Sequence, residues 1–286
     1  MSHAASTTGQ IGLDTPLDAT SRRLRARIAD ILACSRRGHL GSAFSLIELL
    51  RALYDGFLRY DPARPRWDGR DRFILSKGHG CLAQYVFLAE KGFIDAAELR
   101  LFCRAEGILG GHPEAAKIPG VECSTGSLGH GLPIGVGMAL AARLRGQAHR
   151  VVVVLGDGEC DEGTVWEAAL SAGNRGLSNL LACVDYNKMQ SYGATAAVAD
   201  LDPLAAKWRA FGFAAREVDG HDLAALGRAL SAFPFAPDRP SCLICHTVKG
   251  KGLALAENNL DWHHKSALTD ADLAAIRQGL ACPGGA

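Results

Sequence analysis

Residues 151–187, VVVVLGDGECDEGTVWEAALSAGNRGLSNLLACVDYN, read as strand, loop, helix, strand. Val151 to Val154, continued by Leu155, form an apolar β-branched run without alternation. That is the pattern of a parallel strand buried on both faces. The run stops at Gly156-Asp157-Gly158, where two glycines allow a tight turn and close approach of another group. A helix from about Gly163 to Gly173 follows, stopped by Asn174-Arg175-Gly176. Leu180 to Val184 is a second strand, ending in Asp185-Tyr186-Asn187. A connection of this length makes a right-handed crossover between parallel strands. The expected fold class is therefore α/β, a parallel sheet flanked by helices. Asp157 and Asn187 then share its carboxyl edge, where open sheets of this kind bind ligands.

The oxygens at that edge suit a hard cation. Asp157 offers a carboxylate, Asn187 an amide oxygen, and a backbone carbonyl just past Asn187 a third ligand. One carboxylate with neutral oxygens is too poor for an all-protein calcium cage. It suits Mg²⁺ that completes its shell with phosphate oxygens and water. Each motif alone is also ordinary turn chemistry at a strand end; their register across one strand–helix–strand unit favours the metal–phosphate reading.

Elsewhere, Thr20 to Ser35 reads as an amphipathic helix whose arginines form a solvated face. Ser45-x-x-Glu48 reads as a capping box opening a helix from Leu46 to Leu58. Arg72 to Ser76 is a short strand running into Lys77-Gly78-His79-Gly80 and a helix, Cys81 to Lys91, an anion-binding arrangement. Thr125 to Pro133 leads into a helix, Ile134 to Arg145, whose Gly135 and Gly137 permit close packing of another helix or chain. Further elements are a helix from Asp202 to Phe211 with Pro203 in its first turn, a strand from Ala214 to Val218, and a helix from Leu223 to Ala232. A strand from Ser241 to Val248 and a helix from Asp270 to Gln278 complete the set. Lys249-Gly250-Lys251-Gly252 is either a phosphate loop or a flexible exit from its strand. Five histidines directly follow glycine: His39, His79, His112, His130 and His221. The first four lie in loops leading toward helices, which points to a shared cleft suited to sugar hydroxyls, phosphate oxygens and proton movement.

The 286 residues suffice for one large domain, and a net charge of +1 gives no reason to expect nucleic acid or an anionic membrane as partner. Nine cysteines without a framework fit a reducing cytoplasm. Cys242 and Cys245, the only C-x-x-C, fall within a strand, where they point to opposite faces of a core. No transmembrane run or leader is visible, residues 1–16 read as a loose tail, and 17–286 as one domain.

Gly156-Asp157-Gly158, the glutamate-containing loop and Asn187 resemble the thiamine diphosphate motif, and their surroundings resemble transketolase. The resemblance implies thiamine diphosphate and Mg²⁺ as cofactors, in a diphosphate-binding (PP-type) domain. It makes Asp157, Asn187 and the Met189 carbonyl the metal ligands and Gly158 a diphosphate contact. Residues 38–41, with His39, look like the loop beside the thiazolium and substrate. His79 matches a diphosphate contact, His112 a contact to donor-sugar hydroxyls, and Gly126, Ser127 and Leu128 the loop beside the aminopyrimidine. Glu162 and Glu167 fall where the family links cofactors across a dimer interface, and His263 matches a late histidine near diphosphate and substrate. His130 stands where glutamine is usual and His264 where glycine is usual.

The resemblance covers about residues 17–276 and implies two-carbon ketol transfer from a ketose or its phosphate to an aldose. The family's pyrimidine-side glutamate belongs to a second domain, absent here. The expectation is therefore the N-terminal subunit of a two-chain enzyme, partnered in an α2β2 assembly by a C-terminal subunit. The rivals are another thiamine diphosphate enzyme, of the deoxyxylulose-phosphate synthase or 2-oxo-acid dehydrogenase kind, and a non-catalytic scaffold subunit.

Overall fold

The computed structural model describes residues 14–262, 265 and 267–281. The continuous apolar runs become the strands of one parallel sheet: β1 (Arg72–Leu75), β2 (Val151–Gly156), β3 (Leu180–Tyr186), β4 (Ala214–Asp219) and β5 (Ser241–His246). Their spatial order is β1-β2-β3-β5-β4, with every neighbouring pair parallel. All residues of β2 and β3 are buried, as expected of inner strands without polar alternation, whereas the edge strand β4 is partly exposed. Fully burying each β2 valine contributes roughly 1.5–3 kcal/mol before entropy is counted.

The period of two sends alternate residues to two apolar layers. Val152, Val154, Leu181, Cys183, Leu243 and Cys245 pack with α1 (Ala19–Ser35), α2 (Leu40–Phe44), α3 (Ile47–Ala52) and α4 (Cys81–Glu90). Val151, Val153, Leu155, Ala182, Cys242 and Ile244 pack on the other face with α5 (Gly131–Leu144) and α6 (Gly163–Asn174). Cys242 and Cys245 thus lie on opposite faces, both fully buried thiols. The remaining α-helices among the described residues are α7 (Thr195–Val198), α8 (Leu204–Ala210), α9 (Leu223–Ser231) and α10 (Asp270–Ala281).

Six local expectations need correction. The helix expected at 46–58 is one short helix, α3, followed by a wider helical turn over Leu53–Phe57, and a separate short helix, α2, precedes it. Its capping box does not form. Ser45 is already helical and its hydroxyl donates to Asp185 Oδ2 (2.7 Å), while Glu48 pairs with Arg25. Arg25 is therefore buried rather than on a solvated face. Gly135 approaches β2, with Val153 Cγ2 only 2.5 Å from where a Cβ would stand, rather than another helix or chain. Pro203 caps α8 instead of occupying its first turn, and the His112 loop leads into irregular chain rather than a helix.

Candidate active site

The parallel register sets Gly156 opposite Asp185, so the chains leaving β2 and β3 diverge side by side at the carboxyl edge. The Asp157 N–H donates to the Asp185 carbonyl (3.2 Å). The Asp157 carboxylate accepts from the Gly158 N–H (2.9 Å), the Lys188 N–H (2.6 Å) and the Thr195 hydroxyl (3.1 Å). Lys188 has φ 64°, a conformation uncommon for a residue with a side chain, and it is this turn that delivers its N–H to Asp157. Asn187 donates through Nδ2 to Asp185 Oδ2 (3.3 Å) and accepts through Oδ1 from the Met189 N–H (3.1 Å). The Met189 carbonyl accepts from the Lys249 ammonium (3.3 Å). Asp157, Asn187 and Met189 all line one cavity of about 270 Å³.

Two acids and two ammonium groups face one another behind that wall. Burial, reinforced by the charge of Asp185, pushes the Asp157 carboxyl above its usual range. Burial, reinforced by Lys77, pushes the Lys249 ammonium downward. Burial would also raise Asp185, but its ion pair with Lys77 and the hydroxyls of Thr247 and Ser45 overcome that and hold it below its ordinary value. A carboxylate disfavoured by burial, beside an amide oxygen and a backbone carbonyl, is a hard-oxygen donor set whose ionised form a dication would restore. Among the described residues no group of three or more His, Cys, Asp or Glu converges on a metal position. A cation at this edge would therefore share its shell with phosphate and water. The donor chemistry fits Mg²⁺ carried with a diphosphate.

The other walls come from three loops. Lys77, His79, Leu128, Gly158 and Glu162 line the same cavity as Asp157. A Cβ on Gly78 would stand 2.9 Å from the Gly126 nitrogen, so the loop after β1 lies directly on the Gly126–Leu128 loop. Gly126, at φ 148°, has the His112 ring against it (Cδ2 3.0 Å from a Cβ position). His39 and His79 meet edge to face, with ring centroids 5.7 Å apart. The structure thus brings His39, His79, His112, Gly126, Leu128, Asp157, Gly158, Glu162, Asn187 and Met189 to one region. Ser127 is exposed, its hydroxyl 3.5 Å from His130 Nδ1. Glu167 is exposed on α6 and does not line the cavity. His263 and His264 lie outside the described residues.

Sequence reasoning passed over the residues that brace this wall. Glu159 is buried and accepts from the Gly129 N–H (2.9 Å), the Gly156 N–H (3.1 Å) and the Ser76 hydroxyl, joining the ends of β1 and β2 to the Gly126–Leu128 loop. Gln190 crosses Gly158 and donates to Asp161 (2.7 Å). Lys249 belongs to the Lys-Gly-Lys-Gly run, whose lysines were the available signal; in that run the Gly250 N–H donates to the Gly41 carbonyl (3.2 Å) and the Gly252 N–H to Glu257 (2.7 Å). A larger cavity of about 460 Å³ lies between α1 and Ala96–Leu101, away from this edge.

Residues 18–283 match the family model described as the transketolase thiamine diphosphate binding domain. The chain is 37% identical over 262 residues to an apulose-4-phosphate transketolase subunit from Phocaeicola vulgatus, spanning 92% of this chain and 93% of that one. It is 40% identical over 241 residues to the 6-deoxy-6-sulfo-D-fructose transketolase subunit SqwG of a Clostridium species, covering 84% and 88%. A solved transketolase from Pichia stipitis superposes with a TM-score of 0.84 at 28% identity, over 92% of this chain but only 41% of the Pichia chain. The transketolase from Leishmania mexicana gives the same score at 29% identity, over 93% and 42%.

Proposed function

The chain belongs to the transketolase family, in its thiamine diphosphate-binding part, and from that premise we propose that it is the cofactor-holding subunit of a two-chain transketolase. The observation that carries this reading is the meeting of Asp157, Asn187 and the Met189 carbonyl on one cavity wall with Lys249 and His79. The two-chain form is supported by the near full-length match to relatives named as subunits. The partner is a C-terminal subunit carrying a pyrimidine-binding domain, in an α2β2 assembly. The substrates are a ketose or ketose derivative as two-carbon donor and an aldose as acceptor. The eight described cysteines are unbridged thiols, which supports a cytoplasmic setting.

Bound thiamine diphosphate would supply carbanion-stabilising chemistry for transfer of a two-carbon unit. The chain's own residues bind and orient. Asp157, Asn187 and the Met189 carbonyl would hold Mg²⁺, and His79 and Lys249 would hold the diphosphate, with Gly158 leaving room for it. Gly126, Ser127 and Leu128 border the aminopyrimidine. His112, against Gly126, and His39, whose ring meets that of His79, hold sugar hydroxyls and relay protons, with His263 in the same service. Glu162 stands at the N-cap position of α6 and lines the cavity; Glu162 and Glu167 would face the subunit interface.

Calorimetric titration of the chain with thiamine diphosphate and Mg²⁺, with and without the co-expressed partner, tests this. Expected are Mg²⁺-dependent binding, abolished by a chelator, and ketol transfer only when both chains are present. Full transfer by this chain alone would overturn the two-chain reading. Absence of binding in both cases would leave the scaffold role.

A further inference from the structure

Three buried side chains outside the cavity form a closed cluster: Arg25 on α1, Glu48 on α3 and His221 between β4 and α9, with 0%, 1% and 2% exposure. Arg25 uses all five of its N–H donors. Its two terminal nitrogens reach Glu48 (2.7 and 2.9 Å), the Ser21 carbonyl (3.3 Å) and the Phe44 carbonyl (2.8 Å). Its Nε donates to the Lys251 carbonyl (2.7 Å). His221 Nε2 accepts from the Val248 N–H (2.9 Å), so the ring proton sits on Nδ1, where it is donated to Glu48 Oε2 (2.8 Å). Two arms of one ion cluster therefore grip the main chain two residues after, and one residue before, Lys249. A third tie comes from α2, whose Gly41 carbonyl accepts from the Gly250 N–H (3.2 Å) while the Lys249 stem crosses Gly41 so closely that a Cβ there would stand 3.2 Å from Lys249 Cγ.

Stability alone is a weak reason for such a cluster, because desolvating buried ions offsets most of what their attraction contributes. What the arrangement does provide is direction. Lys249 is buried, its stem is confined by Gly41, and its ammonium ends at the Met189 carbonyl.

We propose that the Arg25–Glu48–His221 cluster is a positioning device for Lys249, fixing that ammonium in the cavity by holding the Val248 N–H and the Lys251 carbonyl. None of the three residues lines the cavity; they act through the loop. The proposal rests on the functional reading above only for what Lys249 faces.

The test has two arms. In the full chain without cofactor, His221→Phe keeps the ring volume and removes the acceptor. Hydrogen exchange followed by mass spectrometry should then show the Val248–Gly252 amides exchanging roughly ten-fold faster or more, with the strands unchanged. His221→Gln, which can still accept from Val248 and donate to Glu48, should return the loop toward wild type. Should His221→Phe fail to fold, Arg25→Lys, which loses the Lys251 contact, takes its place. An unchanged loop, or uniform acceleration everywhere, overturns the proposal. In the second arm, thiamine diphosphate with Mg²⁺ is titrated into His221→Phe, Lys249→Met and the double variant. The double variant should bind no more weakly than Lys249→Met alone, whereas multiplying losses would mean that the cluster does not act through Lys249. Wild-type chain that fails to bind even with its co-expressed partner overturns the functional reading, and the exchange arm still decides the clamp.

Discussion

Burial and the neighbouring charge of Asp185 raise the Asp157 carboxyl above its usual range, so its ionised form works against folding. A carboxyl raised in the folded state reduces stability at every pH above its unfolded value, about 3.9, and neutral pH lies in that range. Asp157→Asn should therefore stabilise the chain without ligand, since the amide can still accept from Lys188 and Thr195. A thermal melt should show a rise of roughly 2–4 °C per kcal/mol relieved. The same variant should weaken Mg²⁺-dependent thiamine diphosphate binding by roughly 100-fold or more, the upper end of what even outer ligand partners cost. A loss of both stability and affinity would mean that the carboxylate is a structural brace. At this scale Asp157 and Asn187 were legible because each closes a strand by itself. Lys249 was ambiguous, because what decides between a phosphate loop and a loose exit is contact with Met189 and Gly41, distant in sequence.

α5 shows how the same residue type carries opposite consequences within one turn. A Cβ at Gly135 would stand 2.5 Å from Val153 Cγ2, whereas a Cβ at Gly137 would meet nothing within 4 Å. Helix propensity favours alanine over glycine by about 1 kcal/mol at either position. Overpacking against β2 costs about 1–3 kcal/mol and should win at the first. Gly135→Ala is thus expected to be neutral to destabilising by ~2 kcal/mol, and Gly137→Ala to stabilise the isolated chain by about 0.5–1 kcal/mol. Denaturant midpoints of the two variants check the sign. The strands were legible from apolar runs, since inner parallel strands need nothing else. α2 was not: it begins directly after His39, and Ser45, which looks like a cap, spends its hydroxyl on Asp185. Arg25 on α1 escaped for a related reason, because a charged residue reads as solvated unless a distant partner, here Glu48, is known to meet it.

For the whole molecule the buried cluster sets the response to acid. Burial would raise Glu48, yet the charge of Arg25 and its hydrogen bonds, with the hydrogen bond from His221, hold the carboxyl far below its ordinary value. A carboxyl lowered on folding contributes stability that is complete above its unfolded pKa, about 4.3, and lost as pH falls toward the folded one. Stability should therefore decline steadily below about pH 4.5, and Glu48→Gln should start lower and show a shallower decline, as followed by urea midpoints against pH. An equally steep decline in that variant would assign the acid response to other carboxylates.

The strand order has a consequence in time. β4 precedes β5 in the chain, yet among the described residues its only strand neighbour in the sheet is β5, which is also what joins it to β3. During synthesis β4 has no ladder to enter until Ser241–His246 has emerged, and Lys249 follows only then. Pairings this far apart in sequence are slow to form. A nascent chain stopped before β5 would present the acidic edge of the pocket with Lys77 but without its second ammonium, Lys249, and cofactor capture would belong to the closing moments of folding.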